Sequence, residues 1–203
     1  MTRAEAVGER RAEILAATIR VLTRDGISET TTRKIAAEAA VNQAMLRYYF
    51  GSKDDLLFAV LQEIMHTTVE IVRSTATADS DPRVVIANSI SAFWKRVENL
   101  PELQLIQYEL TFYALRNPES ARLARQQYAG YSAVIEELLK ESYARAGLVC
   151  AVPIHELARF IVGGLDGLFF QFISDRDPVP VQQNLRLLIA AVISLAEGTA
   201  PPL

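Results

Sequence analysis

Apolar residues recur every three or four positions along nearly the whole chain, and the strict two-residue alternation of a half-buried strand is scarce. Ile14, Ala17, Val21 and Leu22 make one such stripe; Leu185, Leu188, Ile189, Val192 and Leu195 make another. Proline marks where helices begin. Pro82, Pro101, Pro118, Pro153 and Pro180 each stand before a helical pattern, where the missing N–H costs nothing because a first-turn amide has no partner. Asp81 and Asn117 precede two of them and suit the N-cap. Gly26, Gly51, Gly147 and Gly198 mark ends. These signals predict about nine helices, over 9–24, 32–38, 43–49, 53–77, 82–98, 101–115, 118–146, 153–174 and 180–197. The fold class is all-α: a three-helix head, 1–53, and a larger helical body, 54–203.

Composition supports this reading. Half of the 203 residues are hydrophobic and 22% are charged, an ordinary globular balance with little Gly or Pro for turns. The single cysteine, Cys150, rules out an intrachain disulfide and fits a reducing compartment. The first eleven residues are charged and carry no secretory pattern, and the longest uncharged apolar run, 187–196, is short of a membrane span. The expectation is a cytoplasmic protein without a membrane partner. The net charge of −3 hides an asymmetry: residues 1–53 carry nine basic side chains against six acidic, the remainder twelve against eighteen. A basic head on an acidic body suits a nucleic-acid reader, although chance alone gives asymmetries of this size.

The head holds the most specific pattern. One of Thr30, Thr31 and Thr32 can cap the second helix, and Ile35, Ala36 and Ala39 face inward, small enough for a third helix to cross closely. Val41 fills the turn, Asn42 caps the third helix, and Leu46 and Phe50 anchor it. Two short helices joined by a tight turn, the second with Gln, Arg and Tyr outward, form a helix-turn-helix whose second helix fits the major groove of double-stranded DNA. Gln43 can pair with adenine, Arg47 with guanine or a phosphate, and Ala44 or Met45 can touch a thymine methyl. Tyr48, Tyr49, Thr31, Arg33 and Lys53 suit phosphates, which fix register rather than sequence. The plainer reading is a compact three-helix core with a tyrosine-rich surface. Even then, Tyr48 and Tyr49 cannot both be buried on one helix.

At these residues the chain resembles the TetR family of regulators. The pattern reads Thr31-Thr32 through Ile35-Ala36, then Ala39-Ala40-Val41, then Leu46-Arg47-Tyr48-Tyr49-Phe50, then Ser52-Lys53-Asp54-Asp55-Leu56, and it covers about 14–57. The family turn is usually Ala-Gly-Val-Ser. Here it is Ala39-Ala40-Val41-Asn42, so Ala40 must adopt the backbone that glycine normally takes. Arg47 stands where the family often has tyrosine, and Tyr49 where it often has histidine. The resemblance implies a homodimer on a roughly palindromic operator and a body that binds a small-molecule effector.

The body is rich in amphipathic aromatics. Gln104, Tyr108 and Phe112 are spaced by four and share a helix face, and Trp94 and Tyr128 lie on neighbouring helices. These five are the candidate effector residues, with ordinary core packing as the alternative. The last two helices are the most apolar. Gly163, Gly164 and Gly167 inside one of them suggest close helix approach, and Phe160, Leu188 and Val192 complete a candidate dimer face. Catalytic and metal signatures are missing. His66 and His155 lack ligand partners at metal spacing, 163–167 is not a phosphate loop, and Asp166 reads as a structural carboxylate, bonded across a dimer if anything. No cofactor is implied. The expected function is a DNA-binding regulator, a repressor released by an effector through the fourth helix. The rival is an all-helical small-molecule-binding protein or enzyme with a non-functional head.

Overall fold

The computed structural model describes residues 3–75, 81–116, 118 and 120–199. Among them are nine α-helices and no strand: α1 (Arg3–Glu29), α2 (Thr32–Glu38), α3 (Gln43–Phe50), α4 (Lys53–Arg73), α5 (Pro82–Asn99), α6 (Pro101–Arg116), α7 (Ala121–Ala146), α8 (Ile154–Asp175) and α9 (Pro178–Glu197). The expected all-helical class stands. Asn117, expected to cap a helix, and the expected extension of α4 to Thr77 lie outside the described residues.

The helices form two compact units. The first comprises 1–64 and 102–125, and the second 65–101 and 126–203. In the first, Ile14, Val21 and Leu22 of α1 meet Ile35 of α2, Leu46 and Phe50 of α3, and Leu57 and Leu61 of α4 in one buried cluster. This is what the sequence stripes require. Ile106 and Leu110 of α6 also enter that core, and α6 adds two polar ties. The backbone N–H of Ile27 donates to Glu109 Oε2 at 3.3 Å. The Tyr113 hydroxyl donates to Asp54 Oδ1 at 2.8 Å, in the first turn of α4.

The α2–α3 turn explains how an alanine replaces glycine. Val41 N–H reaches Ala36 C=O at 2.9 Å and Ala40 N–H reaches Ala37 C=O at 3.2 Å. This is the six-to-one and five-to-two pairing of a Schellman ending, and it needs a left-handed residue at Ala40. Ala40 has φ of 52°. An L-residue there costs about 1–2 kcal/mol, partly offset in glycine by its more flexible unfolded chain. Ala40→Gly is therefore expected to stabilise the protein by about 0.5–1 kcal/mol, raising Tm by roughly 1–4 °C. Calorimetry checks this, and an unchanged or lower Tm contradicts the strain.

In the second unit α8 packs on α9, and α5 packs on both. α9 starts at Pro178, two residues before the expected Pro180, because Asp177 caps it through Val179 N–H at 2.9 Å. Both prolines then fall in the first turn, where no amide is needed. Gly164 lets α9 approach: a Cβ there would lie 2.7 Å from Leu188 Cδ1. Gly164, Leu188 and the fully buried Val192 thus pack inside the chain itself, whereas Phe160, Gly163 and Gly167 of the same candidate face are exposed. Phe170 on α8 and Leu187 on α9 are exposed as well.

Candidate nucleic-acid interface

Each of α2, α3 and α4 in the first unit is fixed by a local cap. Thr31 Oγ1 accepts from Lys34 N–H at 3.2 Å and begins α2. Asn42 Oδ1 accepts from Met45 N–H at 2.9 Å and begins α3. Ser52 and Asp55 cap α4 reciprocally. Asp55 N–H donates to Ser52 Oγ at 3.0 Å, and Ser52 N–H to Asp55 Oδ2 at 3.2 Å. Sequence reasoning overlooked this box, although Ser52-Lys53-Asp54-Asp55 carries its spacing.

On this frame α3 presents Gln43, Ala44, Arg47 and Tyr48 to solvent. Met45 and Tyr49 are half-buried, and Leu46 and Phe50 face the core. Tyr48 is 75% exposed and stands edge-on to the Tyr49 ring at 5.2 Å. The adjacent tyrosines thus divide, one outward and one against the core. A concave surface of about 410 Å³ is lined by Thr32, Gln43, Ala44 and Arg47, and further by Gly51, Ser52 and Lys53. The start of α2, the outer face of α3 and the start of α4 therefore converge. Thr31 and Arg33 are exposed beside it.

Charge is sorted on this end. Arg20 and Arg24 are engaged by Glu38 at 2.7 and 3.1 Å, and Arg24 and Lys34 by Asp25 at 2.9 and 3.0 Å. Both carboxyls are held below their usual range, Glu38 mainly by its hydrogen bond from Arg20 and Asp25 mainly by that from Arg24. Among the described residues, the side chains of Arg33, Arg47 and Lys53 form no ion pair or hydrogen bond within the chain. The cations that brace α1 against α2 are neutralised, and those around the concavity keep their donors for something outside the protein.

The candidate effector residues separate. Gln104 and Tyr108 are buried in the first unit, whereas Phe112, on the same helix, is 51% exposed. Trp94 and Tyr128 belong to the second unit. Trp94 is buried, edge-on to Phe172 at 5.8 Å, with its indole N–H donating to Glu98 Oε1 at 3.1 Å. Tyr128 is half-buried beside Tyr131, ring centroids 6.5 Å apart. Its hydroxyl lies beside Asp166, and burial first, then that carboxylate, drives its pKa well above the ordinary phenol value. Asp166, expected to bond across a dimer if anything, finds this partner within its own chain. Arg96, not singled out from the sequence, is buried in the same unit, with its charged form disfavoured by desolvation and favoured by Tyr131. No group of acidic, histidine or cysteine side chains suited to a metal occurs among the described residues.

Comparison with known proteins agrees with this architecture. Residues 14–60 match the model of bacterial regulatory proteins of the tetR family, and 81–195 match a Tetracyclin repressor-like C-terminal domain. The nicotine-responsive HTH-type transcriptional repressor of Paenarthrobacter nicotinovorans is 29% identical over 167 residues, 82% of this chain and 85% of that repressor. Two solved structures share the fold. FadR of Bacillus subtilis, in complex with stearoyl-CoA, superposes with a TM-score of 0.73 at 17% identity, over 91% of this chain and 98% of FadR. A TetR transcription regulator of Haloarcula marismortui gives 0.77 at 20% identity, over 94% and 98%. With both the helix-turn-helix head and most of the body matched, the chain belongs to the TetR family of DNA-binding transcriptional regulators.

Proposed function

We propose that this regulator is a repressor that binds a roughly palindromic operator as a homodimer and leaves it when a small molecule enters the body. The observation that carries the DNA half is the concavity in which Thr32, Gln43, Arg47 and Lys53 converge, with Arg33, Arg47 and Lys53 unengaged within the chain. Gln43, Ala44 and Arg47 face base edges, and Thr31, Arg33, Tyr48 and Lys53 hold phosphates. Met45 and Tyr49, half-buried, help seat α3, while Asn42 sets where it starts. With DNA as its partner the protein works in the cytoplasm, and it acts by binding rather than by catalysis.

The dimer half rests on apolar faces left open on α8 and α9. Both helices are long and apolar, with mean hydropathy of 1.3 and 1.4 over their most apolar windows, yet only 44% and 22% of those windows are buried. A second copy covers them most simply, forming a four-helix interface around Phe160, Gly163, Gly167 and Leu187. For the effector, the second unit offers the aromatic faces of Trp94 and Phe172 and of Tyr128 and Tyr131, with Asp166 as an acceptor. That composition suits a small, partly aromatic ligand carrying a hydrogen-bond donor.

Selection of operators from random DNA tests the reading. The expected product is an inverted repeat whose half-site centres lie about 34–36 Å apart, one helical turn. A single unrepeated site sinks the dimeric mode. Once an effector is in hand, saturating DNA must weaken its binding by the same factor by which it weakens DNA binding.

A further inference from the structure

The first helix begins well before the core it serves. α1 starts at Arg3, but its first core residue is Ile14, and 7–13 are exposed. This leading stretch carries two neighbouring arginines with different fates. Arg10 is paired with Glu13 at 2.7 Å, one turn on. Arg11 forms no ion pair among the described residues; its guanidinium carbon lies over the Phe50 ring, 5.0 Å from the centroid.

Phe50 is the last residue of α3, and the next three residues, Gly51, Ser52 and Lys53, line the concavity. Arg11 is therefore held at the end of α3, against the residue that precedes the Gly51–Lys53 segment of the proposed DNA surface. A guanidinium over an aromatic face is attracted through its flat face and keeps its in-plane N–H donors for an acceptor. When a recognition helix lies in the major groove, the structures bordering its ends face the sugar–phosphate ridges.

We infer that Arg11, steadied on the Phe50 ring, is a further DNA-backbone contact that extends the footprint from the α2–α4 concavity onto the leading turns of α1. It adds affinity and positions the head, and it reads no base. The inference rests on α3 entering the groove, so its test includes a variant that probes α3 alone.

Arg11→Met leaves a flexible apolar side chain that can still pack on Phe50 through its sulfur, but removes the charge. Arg11→Gln is a second uncharged variant should the first aggregate, and Arg11→Lys restores the charge. Binding is followed by fluorescence anisotropy over a range of salt. The probes are the duplex selected by the wild-type protein and a scrambled duplex of the same length. The slope of log affinity against log salt is expected to become shallower by about 0.9 per bound protomer in the uncharged variants and to stay at the wild-type value in Arg11→Lys. Affinity for both duplexes falls by a similar factor. A wild-type slope in both uncharged variants overturns the inference. So does a loss confined to the selected duplex at unchanged slope, which would make Arg11 a prop for α3 through Phe50. Arg47→Ala is measured alongside. If it binds the selected duplex as tightly as wild type, the α3 reading fails, whereas a weakened Arg47→Ala beside unchanged Arg11 variants defeats only the role given to Arg11.

Discussion

Replacing Arg47 and Lys53 together by alanine is expected to weaken operator binding at least a hundredfold while leaving the fold intact. Both line the concavity, and neither is engaged elsewhere in the chain. A bidentate arginine–guanine pair contributes about 1–3 kcal/mol of discrimination, and each lost phosphate contact adds a salt-dependent share. If about 3–4 kcal/mol disappears in total, affinity falls on the order of a hundred- to a thousand-fold. Stability should barely move, because substitutions at unengaged surface positions stay within about 0.5 kcal/mol. The single variants separate the roles. Lys53→Ala should weaken all sequences alike and flatten the salt dependence, and Arg47→Ala should also relax the preference at one base pair of each half-site. Anisotropy titrations with thermal melts decide the matter. A folded double variant that still binds the operator at wild-type affinity removes α3 from the interface.

The head is legible in the amino-acid sequence and the body less so, because of where the determining contacts lie. The bounds of α2 and α3 are written within a few residues of themselves. Thr31 and Asn42 cap, Leu46 and Phe50 anchor, and Ala40 takes the left-handed turn. Nothing local shows that α1 runs back to Arg3. Its first turns have no apolar stripe, so periodicity is silent there, and good helix formers extend a helix that is already nucleated. Still less can spacing show that Ile106 and Leu110 complete the core of the head, or that Glu109 and Tyr113 of α6 tie down Ile27 and Asp54. Those partners are more than forty residues away in sequence. The candidate effector residues are divided for the same reason. Gln104, Tyr108 and Phe112 share a spacing of four, yet Phe112 is turned to solvent, because a spacing says which residues align and not what lies opposite. Likewise, three glycines on one helix suggest close approach, but within the chain a close neighbour stands only at Gly164, where it is Leu188, and nothing lies within 4 Å of a Cβ at Gly163 or Gly167.

That distinction sets the second large effect, on assembly. Leu187 is 67% exposed on α9 and Phe160 47% exposed on α8, whereas Val192, five residues beyond Leu187, is fully buried in the protomer. Leu187→Glu and Phe160→Glu should therefore break a dimer without unfolding the chain, and Val192→Glu should unfold it. Burying a leucine or phenylalanine contributes about 1.5–3 kcal/mol, and two-fold symmetry counts each side chain twice. A glutamate in its place also forces a carboxylate to be desolvated opposite its symmetry mate, a cost of several kcal/mol. The dimer dissociation constant should rise by roughly three orders of magnitude or more. Sedimentation should show the wild-type protein at twice the 22.5 kDa chain mass and the Leu187→Glu, Phe160→Glu protein at the chain mass. Operator affinity should collapse in parallel, since a lone head holds only one half-site, while the salt-dependent binding of each head to non-specific DNA persists. If the doubly substituted protein sediments as the wild type does, the open faces of α8 and α9 are not where two chains meet. A folded monomer that still holds the full operator at wild-type affinity would refute the two-headed mode itself.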